Sequence, residues 1–480
     1  MLEIKGRAQQ TCGGWSRRQL LQAGGSGLFG LSLPKLLAAE QQQAFVKGRA
    51  KSVIFLFLFG GPSQLETFDL KPKAPSKIRG PFKPIASRTP GLLIGEHLPK
   101  TAKISDKLCI IKTMTHSYND HSGAGHYIQT GHRWQVPIRG GFGATPKDWP
   151  SMGSVVEYLS RRQVDQQSGR DLPSYVVLPN WLGALQEKGQ YRRPGQYGGW
   201  LGRGYDPLNT DIHKKSLTDN PYWRNCSDDE LKFEIQGLVS QKQMTLDRLN
   251  RRNSLLQQFD RELRTAAESP VVDAYDQFKQ RALDLVTSQR TRNALDITQE
   301  PSALRDRYGR HLYGQSCLMA RRLVEAGVRF VTVHYDCVDG YSWDSHRSSH
   351  HLQNHLIPTF DEAFASLITD LDERGLLDET LVVAIGEMGR TPKANGKWGR
   401  GHWSTLFPAA IAGAGVRGGI VYGETDKYAE YPVHKPVSPE DLAKTIYQRL
   451  GIDPDVRLPD AEGRPVHMVE SGTVLNGILG

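Results

Sequence analysis

The sequence predicts an α/β fold, a mostly parallel central sheet covered by helices on both faces, with a mostly helical insertion at about 183–310. Three observations predict it. Short, wholly apolar runs, above all Ser52–Phe59 and Leu381–Ile385, stop abruptly at glycine, as strands buried on both faces do. Strand-like runs alternate with segments of helical spacing, the pattern of a parallel sheet covered on both sides. Carboxylates and histidines gather just after the strand-like runs, where open α/β sheets carry their chemistry.

The first forty residues read as a leader. Ser16-Arg17-Arg18-Gln19-Leu20-Leu21 is a twin-arginine pattern, followed by a modest apolar stretch, Ala23 to Leu37, and then Ala38-Ala39-Glu40. Basic residues, a weak apolar segment and small residues, in that order, make a secretion signal. The apolar stretch is short and broken by Pro34, so no permanent membrane span is expected. The expected location is periplasmic or secreted.

The mature part then follows in order. Ser52–Phe59 is the most apolar strand candidate, and Gly60-Gly61-Pro62-Ser63 breaks it sharply. Two glycines there let the backbone approach a ligand closely. Lys71–Pro84 reads as a surface loop, Leu108–Lys112 as a second strand, and the small residues bracketed by His121 and His126 as a helix start. Trp149–Leu159 reads as a helix and Ser174–Leu178 as a strand. Gly183–Thr210, rich in glycine and tyrosine and carrying Arg192-Arg193 and Arg203, reads as an irregular cover over the site. From Ser227 to about Arg292 the pattern is helical and highly charged, with Asp228-Asp229-Glu230 suited to a helix start. The α/β pattern resumes with helix Gln315–Ala326, stopped by Gly327, and strand Val328–Val333. A helix from about Leu356 to Arg374, the strand Leu381–Ile385, the strand Pro408–Ala412 and a final helix, Leu442–Leu450, complete it.

Length and composition narrow the function. The 480 residues suffice for one large domain or two ordinary ones. The formal charge of +10 falls to +7 without residues 1–40, a modest excess that suits either anionic small molecules or polysaccharides as partners or plain surface solubility. Five cysteines, with Cys12 in the leader, do not make a disulfide framework. Cys109 reads as core; Cys317 and Cys337 could pair. No P-loop, and no GxGxxG after a strand, is present, so nucleotide and nucleic-acid binding have no support.

Two strand ends carry the chemistry. Asp344 and His346 follow Val328–Val333, and Glu387 and His402 follow Leu381–Ile385. One carboxylate and one imidazole at each end suit zinc, manganese or iron rather than calcium alone. A divalent metal is therefore the expected cofactor, with zinc, manganese and calcium all open. Two such sets could hold two ions that activate a nucleophile and neutralise the leaving oxygen in phosphoryl or sulfuryl transfer. Arg390 is expected to bind the non-bridging oxygens. His116, His121, His126 and His132 lie within seventeen residues, a group that points to an anion or metal site.

The segments Gly60–Pro72, His116–His132, Ser342–His346 and Gly386–Trp403 together resemble the exported DUF1501 family, which is distantly similar to sulfatases of the alkaline-phosphatase superfamily. The resemblance covers nearly the whole mature chain, 51–480, and implies an alkaline-phosphatase/sulfatase-like α/β/α sandwich. It matches Asp344 and His346 to one metal's pair, Glu387 to a position where the superfamily has aspartate before histidine, and His402 to the distal histidine of the first metal. Two departures stand out: Gly60-Gly61-Pro62-Ser63 replaces the metal-binding aspartate after the first strand, and Met388 replaces the histidine after Glu387. The nucleophile region falls on His121-Ser122, without a cysteine for formylglycine. The second metal site is stripped unless His116, His121 or His126 refills it.

The expected function is an exported metal-dependent hydrolase of phosphate or sulfate esters. His121 or Ser122 would be the nucleophile or orient water, Arg390 would bind the anion, and Asp344, His346, Glu387, His402 and His116 would be the metal ligands. The alternative is a non-catalytic secreted protein on the same fold, holding metal or binding polysaccharide.

Overall fold

The computed structural model describes residues 48–135, 143–164, 172–186, 191–212, 214–216, 218–235, 288–336 and 342–480. The twin-arginine segment, Cys337 and most of the expected helical insertion, residues 236–287, lie outside them.

Eight strands form one sheet. In chain order they are β1 (Ser52–Phe57), β2 (Leu108–Met114), β3 (Tyr175–Leu178), β4 (Leu208–Asn209), β5 (Phe330–His334), β6 (Thr380–Ile385), β7 (Phe407–Ala412) and β8 (Ile420–Tyr422). Their order across the sheet is β8-β2-β7-β6-β1-β5-β3-β4. Every neighbouring pair is parallel except those made by β7, which runs antiparallel to both β2 and β6. The sheet is thus mostly parallel, as the apolar runs predict.

Alternation along β1 builds the two layers. Ile54, Leu56 and Leu58 pack with helix Leu312–Glu325 and helix Ile357–Glu373 on one face. Val53, Phe55, Phe57 and Phe59 pack with helices His121–Thr130, Met152–Val164 and Pro439–Arg449 on the other. A strand whose odd and even side chains are both buried needs apolar residues throughout, which is why SVIFLF carries no charge. The result is an α/β/α sandwich. No described helix is long and apolar enough to cross a membrane.

Element limits shift where caps decide them. The helix expected from Trp149 begins at Met152, because Ser151 Oγ accepts the Ser154 N–H at 3.0 Å, a side-chain cap that ends the preceding loop. The last helix starts at a full capping box, Ser438 with Asp441. Two edge strands, β4 and β8, went unread because two and three residues carry too little pattern. The cover at 191–212 is irregular apart from two short 3-10 turns and β4. Cys317 is a buried free thiol.

Register positions the site. Phe57 pairs with His334 on one side and with Ile385 on the other, so β5, β1 and β6 end level. The segments that follow them, carrying Asp344, Gly60 and Glu387 respectively, leave the sheet side by side.

Candidate metal centre

The helix His121–Thr130 starts where Asp120 caps it, its carboxylate accepting the Gly123 N–H at 2.7 Å. That start fixes His121 at the carboxyl edge of the sheet. Its Nδ1–H donates to Glu387 Oε1 at 2.6 Å. Its Nε2 lies 3.3 Å from Asp344 Oδ2 but is buried with no partner in hydrogen-bond geometry among the described residues.

Asp344 is the hub. Its Oδ1 lies 3.1 Å from His402 Nε2 and 3.0 Å from His346 Nε2, and those two nitrogens are 2.9 Å apart. His402 Nδ1–H donates to the Asn119 carbonyl at 2.7 Å. That bond sets the tautomer, so the lone pair of a neutral His402 sits on Nε2 and faces a carboxylate oxygen. Two acceptors in contact need a cation between them.

The geometry fits a divalent ion. Ligand atoms of His121, Asp344 and His402 all lie within 4.8 Å of one another. Atoms on a tetrahedron 2.0–2.1 Å from zinc stand about 3.3 Å apart, close to the spacings around Asp344. The residues that would hold the ion are His121, Asp344 and His402, with His346 adjoining them. His346 is the most open, its side chain 47% exposed.

Electrostatics agree. Burial raises the pKa of Asp344, but the adjoining imidazoles of His121 and His402 and the Arg390 charge outweigh it and hold the carboxyl well below the usual range. Burial lowers the pKa of His121, yet the carboxylates of Asp344 and Glu387 win and raise it to about 9. Without a metal, the cation between the two carboxylates is the His121 proton.

Four expected participants take other places. Glu387, fully buried, turns its carboxylate to the Gly60 N–H, at 2.9 and 3.1 Å, and to His121 Nδ1. It braces one prospective ligand rather than joining the ligand group. Gly60 has φ +113°, and a Cβ there would stand 2.6 Å from the Asp344 nitrogen, so only glycine brings that N–H to Glu387. Arg390, expected to bind anion, is fully buried. Its guanidinium donates to the Gly60 carbonyl, to the Gly61 carbonyl at 3.0 Å and to Asp344 Oδ1 at 2.5 Å. It holds Asp344 and the glycine turn in place.

His116, expected among the ligands, has both ring nitrogens on main-chain groups. Nε2–H donates to the Glu387 carbonyl at 2.6 Å, and Nδ1 accepts the Tyr118 N–H at 3.1 Å. Burial lowers its pKa to about 4. Ser122, expected as a nucleophile, is buried in the first turn of its helix at 2% exposure. His126 packs inside with its Nδ1 3.1 Å from the His132 carbonyl. Sequence reasoning missed Asn119, whose carbonyl orients His402 and whose Oδ1 accepts the Ser404 N–H at 2.8 Å. Its place just before the helix cap was the available signal.

Fold and site together define an α/β/α sandwich with a histidine–carboxylate cluster at the carboxyl edge of its sheet. The chain belongs to the DUF1501 family, described as a protein of unknown function, which matches residues 50–479. No curated protein matches it. Solved structures similar to it include the PsFucS1 sulfatase from Pseudoalteromonas sp., at 14% identity and TM-score 0.35, covering 87% of this chain and 69% of that one. The alkaline phosphatase of the Antarctic bacterium TAB5 is similar at 12% identity and TM-score 0.31, over 78% of this chain and 94% of that one. Ps i-CgsB in complex with k-i-k-neocarrahexaose is similar at 11% identity and TM-score 0.40, over 89% and 75%.

Proposed function

We propose that this protein is an exported, metal-dependent hydrolase of phosphate or sulfate esters, built on one divalent ion. The observation that carries the reading is the locked pair of imidazoles. Glu387 and the Asn119 carbonyl each take an Nδ1–H, so the Nε2 atoms of His121 and His402 are both directed at Asp344. A carboxylate and two oriented imidazoles form a ligand set, and its supporting bonds are those expected around metal ligands. When bound, the ion supplies Lewis acidity toward a phosphoryl or sulfuryl oxygen.

The chain's own groups do the rest. Asp344 and His402 fix the ion's place, His121 completes the set, and His346, the most open of the four, stands beside the approach. Glu387 and Arg390 are positioning residues. A single ion accords with the sequence, because Gly60 stands where a second carboxylate was expected and Glu387 is committed to Gly60 and His121. Export rests on the twin-arginine segment, and the excess of basic residues suits an anionic ester, small or polymeric.

A specific observation favours the second reading, a secreted protein that holds metal without turnover: Ser122, expected with His121 as the alternative nucleophile, is buried. The test is elemental analysis of the purified full chain, with an aryl phosphate and aryl sulfate panel run before and after chelation. The expected result is one divalent ion per chain and turnover that falls with chelation, both lost in His402→Ala and Asp344→Asn. Metal without turnover supports the binding protein. A folded protein that takes up neither zinc nor manganese overturns both readings.

A further inference from the structure

Arg390, expected to receive the negative charge of an ester, is committed to Asp344 and to main-chain carbonyls. A second arginine is placed for that charge. Arg193 lies on the irregular cover over the sheet edge. Its guanidinium carbon sits 4.6 Å from the centre of the Phe59 ring and 4.6 Å from that of Tyr191. Phe59 follows β1, and its ring packs against His121 with centroids 5.3 Å apart. The guanidinium and the His121 imidazole therefore share one aromatic neighbour and lie within about 10 Å of each other.

The partners of Arg193 are unusual for a half-buried cation. Nη1 donates to the Tyr191 hydroxyl at 2.6 Å and Nη2 to Gln186 Oε1 at 2.9 Å. Both acceptors are neutral. Its Nε is buried without an acceptor among the described residues. Among the described residues no carboxylate pairs with it; Asp336 is one step removed, accepting from Gln186 Nε2 at 3.0 Å. Other buried arginines of this chain do have carboxylates: Arg390 has Asp344, Arg400 has Glu66, and Arg321 has Glu300 and Asp370. A guanidinium partly withdrawn from water and left without a counter-charge is poised for an anionic ligand. The two rings hold its plane in place.

We propose that Arg193 is the anion clamp of this centre, binding the non-bridging oxygens of a phosphate or sulfate group whose other oxygen faces His121 and Asp344. This rests on the hydrolase reading above and adds the group that selects an anionic ester. The Arg193 guanidinium and the His121 ring stand no more than about 10 Å apart. A tetrahedral oxyanion with one oxygen on a metal and another accepting from a guanidinium bridges about 7 Å.

The test is calorimetry on the full chain, in two arms. Zinc is titrated into metal-free protein; inorganic phosphate and sulfate are then titrated into the zinc-loaded form. Arg193→Met is expected to weaken binding of both anions by at least about tenfold while zinc affinity stays within about twofold. Arg193→Lys, which keeps the charge and loses the planar fork, is expected to fall between. Should Arg193→Met fail to fold, Arg193→Gln carries the same expectation. Wild-type anion affinity in these variants overturns the clamp, as does zinc-loaded wild type that binds neither anion at millimolar concentrations. If wild type takes no zinc, the hydrolase reading fails by itself. The anion titration on metal-free protein then decides the clamp: Arg193-dependent binding sustains it, and absent or Arg193-independent binding overturns it.

Discussion

Replacing Glu387 with glutamine separates a brace from a ligand. The carboxylate accepts from two donors, the Gly60 N–H and His121 Nδ1–H. Glutamine has one acceptor oxygen. Oε1 takes both bonds, His121 at 2.6 Å and Gly60 at 2.9 Å, while Oε2 lies 3.1 Å from the same Gly60 N–H. With the amide oxygen at the Oε1 place, the new NH2 group meets the Gly60 N–H donor to donor and both bonds lose their charge assistance, at a cost of about 1–3 kcal/mol in stability. His121 also loses the carboxylate that fixes its tautomer and ring plane. Loss of a supporting hydrogen bond of this kind lowers metal affinity by about 10–100-fold, or about 1.4–2.7 kcal/mol. Zinc competition against a chromophoric chelator measures the affinity, and urea melts measure the fold. A loss as large as in His402→Ala would make Glu387 a ligand. Wild-type zinc affinity in Glu387→Gln would refute the claim that His121 is oriented through Glu387.

Arg390→Met leaves the two glycine carbonyls and Asp344 without their buried cation. Loss of one partner from a buried charged network costs about 3–5 kcal/mol, and a urea-melt difference below about 1 kcal/mol would show that Arg390 does not brace the turn. Acid sensitivity is traced to buried neutral histidines. His334 sits at the end of β5 with burial lowering its pKa to about 3. Between its unfolded value of about 6.5 and that pKa, the unfolded chain binds the extra proton, so stability present above pH 6.5 falls as pH falls. From pH 7 to pH 5 this single group removes about 2 kcal/mol. His334→Gln should therefore lose about 2 kcal/mol less over that interval by urea melts, and an unchanged pH slope would remove His334 as the cause.

Much of the architecture was legible because strands buried on both faces must be apolar at every position. SVIFLF and TLVVAI announce themselves, and their level register follows from adjacency in a parallel sheet. The antiparallel sense of β7 was not legible: Phe407–Ala412 is as apolar as its neighbours, and direction leaves no trace in composition. At the site, residue types named the right neighbourhood. Asp344, His346 and His402 meet, together with His121. What the sequence could not convey was the direction of each side chain. Glu387 and Arg390 are each one bond away from a prospective ligand residue, and His116 one bond further, on the Glu387 carbonyl; a one-dimensional pattern assigns a brace and a ligand alike.

That one-bond displacement also explains the charge of the pocket. Among the described residues two carboxylates, Asp344 and Glu387, stand against one guanidinium, Arg390, with imidazoles between them. One negative charge remains uncompensated in a site largely withdrawn from water, and such a charge is costly unless a cation joins it. A proton on His121 balances it to neutrality. A divalent ion in place of that proton leaves the pocket with a net positive charge, and Arg193 on the adjoining Phe59 ring adds another. A site that changes from neutral to cationic on taking up its ion favours an anion only once loaded. Phosphate titrated into zinc-loaded and metal-free protein should therefore bind more tightly to the loaded form, by at least about tenfold if the ion contributes a direct contact. Equal affinity in the two forms would mean that the anion is held away from Asp344, and that the cluster and the clamp are separate sites.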